Sequence, residues 1–453
     1  MKRDASERLD SWLKGHGRKP MVMRGARQTG KTWIVRDLAR RHGLDLVEIN
    51  FEKNPELAAC FAGNDIVTIM KLIGVAYGRN LQPEQSLLFL DEIQQAPQVF
   101  PVLRWFKEDL PQLPVISAGS LLDFVLDEHS FSMPVGRIHY FYLEPMSFLE
   151  FVRATGNDPL YAHVKSACIT DPVPDPVHSR CLELYAIYRL IGGMPEVVAE
   201  WLATGDVNAC MVVLADLLAT LRDDFNKYGS NTDLLRKTLR AAADQLGGKF
   251  VLSRVQDGVR SRAAKTALEQ LCMARVLSRV GHSAANGIPL GAQGNQRFFK
   301  IIGLDAGLVT VQFGLGRLRP DAADSLRFVN RGALAEQFAG QQLRAALSAY
   351  GEPELFYWQR TGGRQGEVDY LIQLNGQLVP LEVKSGSSGA MKSLHQFMFD
   401  KQLSLAVRLD TNQGSQQDVR VKTTQGDAVA YTLVSLPVYL AERVWEVGVG
   451  PPL

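Results

Sequence analysis

The chain has 453 residues, 46% hydrophobic and 22% charged, and its 50 basic and 48 acidic side chains leave a formal net charge of +2. These proportions describe a globular protein with room for three or so domains, and the charge balance is too even to point by itself to a nucleic-acid partner. Five scattered cysteines without a C-x-x-C spacing suggest neither a disulfide framework nor a zinc site, and the eight histidines show no metal-ligand spacing. With no apolar signal core at the N-terminus and no apolar run of spanning length, a cytoplasmic protein without a membrane partner is expected.

After an amphipathic opening helix, "PMVMRGARQTGKTWIVRDLARRHG" reads as a short apolar strand, a turn and a helix, and it matches G-x-x-x-x-G-K-[ST] in full. This is a P-loop. Gly25, Ala26, Arg27, Gln28, Thr29, Gly30, Lys31, Thr32 and Trp33 are the expected nucleotide-binding residues. Backbone N–H groups and the helix N-terminus cradle phosphates, Lys31 reaches the β and γ oxygens, and Thr32 offers its hydroxyl to Mg²⁺. ATP or ADP with Mg²⁺ is therefore the expected ligand.

The apolar run "SLLFLDEIQQ" supplies the carboxylates such a site needs. Asp91 is expected in the Mg²⁺ shell, and Glu92 is expected to orient or deprotonate the attacking water. With "LDLVEINFE", "LPVISAGSLL" and "RIHYFYLEPMSF", five strands alternate with helical segments, the pattern of a doubly wound parallel sheet. Ser117 or Ser120, at the polar end of the fourth strand, is placed to sense the γ-phosphate.

This part of the chain resembles the AAA-type ATPases. The resemblance implies that Arg137, just before the fifth strand, reaches into a neighbouring subunit's nucleotide site, and hence a homo-oligomer. It also implies that the Gly193-Met194-Pro195 turn in "YRLIGGMPEVV" contacts the base, which makes Pro195 a nucleotide-binding residue. An ordinary interhelical turn is the alternative for that turn, and a surface ion pair is the alternative for Arg137.

A helix is expected from about Asp206 to Tyr228, and another over "TDLLRKTLRAAADQLG". A short helix, a turn and a longer helix in "FVLSRVQDGVRSRAAKTALEQLCMARVLSRVG" resemble a helix-turn-helix, with "PLGAQGNQRFFKIIGLDAGL" as its β-wing. Arg260, Arg262 and Lys265 are the candidate DNA contacts. A winged-helix module used for protein packing is the competing reading, favoured because no dense basic run supports a groove-reading surface.

In "GEVDYLIQLNGQLVPLEVKSG", Asn375-Gly376 between alternating apolar residues predicts a two-residue hairpin. Counting outward pairs Ile372 with Val379, Tyr370 with Leu381 and Val368 with Val383 on an apolar face. The same count sets Asp369 opposite Glu382, and Glu367 opposite Lys384, on the other. Facing carboxylates destabilise a sheet, which a divalent cation held by Asp369 and Glu382 would relieve. Helix, three strands, helix, strand is the order of the PD-(D/E)XK nuclease core. Asp369, Glu382 and Lys384, with the helical Glu336, resemble that family's catalytic set, although Val368 stands where a proline is expected. The resemblance implies Mg²⁺ on the carboxylates and a nucleic-acid substrate, DNA ahead of RNA.

Across "GARQTGKT", "LDEIQ", "GGMPEVV", "DFNKY", "GLDAGL" and "EVDYLI…LEVKSG", the whole chain resembles a broad prokaryotic family of AAA-type ATPases carrying a C-terminal nuclease-like domain. The expected architecture is α/β throughout: an ATPase core at residues 1–155, a helical lid at 156–204, a winged-helix-like domain at 205–315 and a restriction-endonuclease-like domain at 325–453. The expected function is ATP hydrolysis coupled to metal-dependent action on nucleic acid. The alternative is an ATP-dependent switch or scaffold whose C-terminal domain only binds nucleic acid or protein.

Overall fold

The computed structural model describes residues 1–120, 122–124, 136–227, 231–314, 331–360, 366–387 and 389–447. The chain divides into two compact units. The first comprises Met1–Glu144, Met273–Arg275 and Ser348–Glu352, and the second comprises Pro145–Cys272, Val276–Leu347 and Pro353–Leu453.

Among the described residues of the first unit, five strands form one parallel sheet: β1 (Met21–Arg24), β2 (Asp45–Asn50), β3 (Ser86–Asp91), β4 (Val115–Gly119) and β5 (His139–Tyr142), in the order β2-β3-β4-β1-β5. Side chains alternate across it. Met21, Met23, Leu87 and Phe89 pack with Ile34, Val35 and Leu38 of the helix Lys31–His42 on one face. Val22, Leu88 and Leu90 pack with Ile69 and Ile73 of the helix Ile66–Ala76 on the other. With both faces covered, strands read as continuous apolar runs, as β3 does. Because β4 lies between β3 and β1, the end of the fourth strand stands beside both the P-loop and Asp91, as its order in the sequence predicts.

The second unit holds a mixed sheet of β6 (Leu277–His282), β7 (Phe299–Gly303), β8 (Leu355–Gln359), β9 (Glu367–Leu374), β10 (Gln377–Val383), β11 (Leu405–Asp410), β12 (Ser415–Lys422) and β13 (Ala428–Pro437). The strand order is β12-β13-β11-β10-β9-β8-β6-β7. Of the segment expected as a β-wing, Phe299–Gly303 forms β7, and it pairs with β6 from the end of the preceding expected helix-turn-helix stretch. Val280 to His282 of β6 pair in parallel with Leu355 to Tyr357 of β8, so the β6–β7 hairpin extends the C-terminal sheet. The helix Ser261–Met273 precedes it, and there Lys265 faces Glu269 at 3.6 Å.

Helices Asp175–Ile191, Pro195–Thr204 and Val207–Asp223 follow one another in this unit. The last runs into a short turn over Asp224–Lys227, and the expected end at Tyr228 lies outside the described residues. Phe148, Phe151, Tyr188 and Phe338 meet largely edge to face, with ring centroids 5.5–6.0 Å apart in the pairs Phe148–Tyr188, Phe151–Tyr188, Phe148–Phe338 and Tyr188–Phe338. This is a favoured aromatic geometry.

The predicted hairpin forms as expected: Asn375 and Gly376 have φ of 48° and 75°, and the register runs from Gln377↔Leu374 to Leu381↔Tyr370. Beyond Tyr370 the expected ladder is not kept. β9 still pairs on its other edge with β8, Val368 with Trp358 and Glu367 with Gln359, and Glu382 of β10 pairs with Arg408 of β11. The reason is local: the Asp369 carboxylate accepts the backbone N–H of Val383 at 2.7 Å, taking a donor the ladder would otherwise use.

Candidate functional site

The P-loop joins the end of β1 to the helix Lys31–His42. Gln28 at φ 62° and Gly30 at φ 92° make the left-handed turns that curl it, a conformation glycine adopts freely. Gly25 is required by space, since a Cβ there would lie 2.5 Å from the Leu143 carbonyl oxygen. Thr29 Oγ1 donates to the Ala26 carbonyl at 3.0 Å and closes the loop on itself.

Lys31 Nζ donates to the carbonyls of Gly25 at 2.9 Å and Ala26 at 2.7 Å. Burial pushes its pKa down to about 8, against the pull of Glu92 and Asp91. Thr32 Oγ1 donates to Asp91 Oδ2 at 3.2 Å, and Asn50 Nδ2 donates to the same oxygen at 3.2 Å. Burial, and then the charge of Glu92, raise the Asp91 pKa. A buried carboxylate beside a hydroxyl is an oxygen donor set suited to Mg²⁺, and a cation there would offset the cost of desolvating the charge.

Glu92 takes a left-handed φ of 51°, and its carboxylate accepts a hydrogen bond from Gln94 Nε2. Gln94 is in turn pressed against Gly119 of β4, where a Cβ would lie 2.0 Å from its Oε1. Ser120 Oγ accepts from Arg27 Nε at 3.4 Å, whereas Ser117 Oγ donates to the Met21 carbonyl within the sheet at 3.0 Å. Of the two serines, Ser120 is the one hydrogen-bonded to a P-loop side chain. Trp33 is exposed on the first turn of the P-loop helix.

Three features of this unit were not legible in the motifs. Arg3 donates to the Thr29 carbonyl at 3.1 Å and to the Glu144 carbonyl at 2.7 Å, clasping the P-loop from the opening helix. Asp123 bridges Arg24 at 3.0 Å and Arg275 at 3.1 Å, and Arg275 also meets Glu352 at 2.8 Å. Asn50, at the end of β2, shares Asp91 with Thr32. Arg137 sits in an ion pair with Glu108 at 2.9 Å, which also receives Arg104 at 3.0 Å.

Pro195 belongs to the second unit and starts the helix Pro195–Thr204. The turn before it is tied down from within that unit. The Gly193 N–H donates to Asp305 Oδ2 at 2.6 Å, and the Gly193 carbonyl accepts from the Met146 N–H at 2.7 Å. The Tyr188 hydroxyl donates to the Met146 carbonyl.

The acidic residues of the C-terminal sheet are distributed differently from the expected set. Glu336 on the helix Arg331–Leu347 and Glu367 and Asp369 on β9 offer carboxylate oxygens that all lie within 4.8 Å of one another. The ammonium of Lys300 from β7 lies 3.2 Å from Glu336 and 3.9 Å from Asp369, and it is paired with Glu367. The expected Glu367–Lys384 pair is absent: Lys384 Nζ meets Glu382 Oε1 at 2.6 Å instead. The other oxygen of Glu382 is buried without a hydrogen-bond partner, and burial followed by the charge of Asp369 pushes its pKa up to about 7. Lys300 carried no motif by which the sequence could mark it.

Residues 17–152 match a family model described as an AAA domain, and residues 182–319 and 331–429 match two models described as Domain of unknown function (DUF8612) and Domain of unknown function (DUF4143). No curated protein matches the chain. Among solved structures, the chain is similar to the Walker-type ATPase PABY2304 of Pyrococcus abyssi, with 16% identity and a TM-score of 0.45, over 68% of this chain and 95% of that one. It is similar also to the Aeropyrum pernix ORC1 protein in complex with DNA, with 12% identity and a TM-score of 0.26, over 71% of this chain and 92% of that one. For the Aeropyrum pernix ORC2 protein in ADPNP-ADP complexes, identity is 14% and the TM-score 0.33, over 71% and 93%. Among the described residues no helix is long and apolar enough to cross a membrane. The residues similar to the AAA domain, 17–152, are thus those that carry the P-loop and its five-stranded parallel sheet.

Proposed function

We propose that the first unit binds and hydrolyses Mg²⁺-ATP, and the observation that carries this reading is the Thr32–Asp91 hydrogen bond of 3.2 Å with Glu92 next in the chain. Lys31, now donating to two loop carbonyls, exchanges them for β and γ phosphate oxygens. The backbone of residues 25–32 and the helix N-terminus bind the remaining phosphate charge. Mg²⁺ would be held by Thr32 and Asp91, and it supplies neutralisation of the charge that develops on the leaving phosphate. Glu92 orients the attacking water and accepts its proton, with Gln94 fixing the carboxylate. Ser120 reads the γ-phosphate from the end of β4.

The test is a pair of substitutions. Lys31→Ala should abolish tight nucleotide binding, while Glu92→Gln should keep binding and lower turnover by about 10²-fold or more. Unchanged turnover in both variants would overturn the assignment.

The second unit is read as the output of this cycle. Cleavage and binding without cleavage were both open from the sequence. Binding is favoured because Lys384 is spent on Glu382 and the Asp369 carboxylate on the Val383 N–H, so the expected catalytic set is engaged within the sheet.

A further inference from the structure

The nuclease resemblance implies a divalent cation on the carboxylates of the C-terminal sheet, and the residues present can be tested for it. Glu336, Glu367 and Asp369 converge tightly enough to be ligands. A Mg²⁺ ion needs oxygen atoms at about 2.0–2.1 Å and retains several waters. The space between the three carboxylates is taken by Lys300 Nζ, paired with Glu367 and 3.2 Å from Glu336.

Lys300 is not a surface side chain that could swing aside. It is 2% exposed, sits within β7 opposite Val280, and its ammonium lies 5.3 Å from the centre of the Tyr357 ring. Its neighbours are locked to the same strand. Gln337, next to Glu336, donates to the Gly303 carbonyl at 2.9 Å and accepts the Gly303 N–H at 2.8 Å. The Tyr370 hydroxyl donates to the Glu336 carbonyl at 2.8 Å and ties the helix to β9. Helix, β7 and β9 thus hold ammonium and carboxylates in one fixed arrangement. Burial disfavours the ammonium, but Glu336, Asp369 and Glu367 outweigh it and raise the Lys300 pKa, so the charge is present at any physiological pH. A buried like-charge cluster is tolerable only if compensated, and here Lys300 supplies one positive charge while burial and the charge of Asp369 raise the Glu336 pKa.

We propose that Lys300 is the resident cation of the Glu336–Glu367–Asp369 cluster, and that this cluster therefore holds no divalent metal. The three carboxylates around Lys300, of which Asp369 alone belongs to the expected Asp369–Glu382 pair, do not fit a divalent cation, and no metal-dependent cleavage step is assigned to them. This inference deepens the binding reading of the second unit and does not depend on the ATPase reading of the first.

The experiment is Mn²⁺ binding to the full-length, nucleotide-free protein, followed by the electron paramagnetic resonance signal of free Mn²⁺. Wild type is compared with Asp91→Asn, Asp369→Asn, Glu367→Gln and Lys300→Met. Wild type, Asp369→Asn and Glu367→Gln should bind equally, whatever ATPase-site binding Asp91→Asn removes. Folded Lys300→Met should gain a site at least about tenfold tighter than any wild-type site other than the one Asp91 supplies, lost again when Asp369→Asn is added, because three carboxylates are left uncompensated. A wild-type Mn²⁺ site lost in Asp369→Asn or Glu367→Gln and kept in Asp91→Asn would overturn the proposal. So would a folded Lys300→Met that takes up no additional Mn²⁺. If Lys300→Met does not fold, the wild-type comparison with the two carboxylate variants decides alone. Failure of the ATPase reading would show only in the Asp91→Asn comparison.

Discussion

Asp305 accepts the backbone N–H of Gly193 at 2.6 Å, so one buried carboxylate joins two turns 112 residues apart. Gln341, from the helix Arg331–Leu347, donates to the same oxygen at 2.9 Å, and the other oxygen caps the helix Ala306–Gln312 through the N–H groups of Gly307 at 2.9 Å and Leu308 at 3.3 Å. The glycines follow from this contact. Gly192 has φ 73°, and a Cβ on it would lie 1.9 Å from Asp305 Oδ1, while a Cβ on Gly307 would lie 2.3 Å from the Ile191 carbonyl oxygen. Both Gly192→Ala and Asp305→Ala should therefore lower stability by roughly 2–4 kcal/mol, through strain and clash in the first and orphaned buried donors in the second. Denaturant unfolding checks this, and unchanged midpoints would remove the turn from the structural core.

Lys31 should make nucleotide affinity depend on pH. In the free protein burial holds its pKa near 8, below the ordinary 10.5. Bound phosphates raise that pKa, so above pH 8 the complex carries a proton the free protein lacks, and affinity falls as pH rises, by up to about tenfold per unit. Below pH 8 the dependence from this group should vanish. Calorimetric titration of ADP in buffers of different ionisation enthalpy reads the proton uptake directly. A flat affinity across pH 8, or the same slope in Lys31→Arg, would show that Lys31 is not the titrating group.

We propose Arg137 as the residue through which a second copy acts. Its guanidinium is half-exposed, and the Glu108 carboxylate, held below the usual carboxylate range by Arg137 and Arg104, is its partner. An exposed ion pair of this kind is weak and can open. Turnover per chain should rise with protein concentration, and Arg137→Ala should remove about 10³-fold or more of the assembled rate. Glu108→Ala should leave the assembled rate in place. Turnover independent of concentration and insensitive to Arg137→Ala would leave this arginine as a surface ion-pair partner.

The parts of this protein that the sequence by itself determined are those whose physics is contiguous along the chain. The P-loop is a run of eight residues whose turn, ammonium and hydroxyl must follow one another, and Asp91, with Glu92 next in the chain, ends a buried strand. The Asn375-Gly376 hairpin followed from two backbone angles, and its register held as far as Tyr370, where local counting applies. Tertiary structure decided what meets across long separations. β6 and β7 joined β8 because a sheet edge is satisfied by whichever strand the chain delivers to it, and that pairing carried Lys300 into the acid cluster, 36 residues from Glu336. The same holds for Arg3 on the P-loop and Asp305 under Gly193. In each case a buried charge found its partners through strand order and helix placement, which no local spacing encodes.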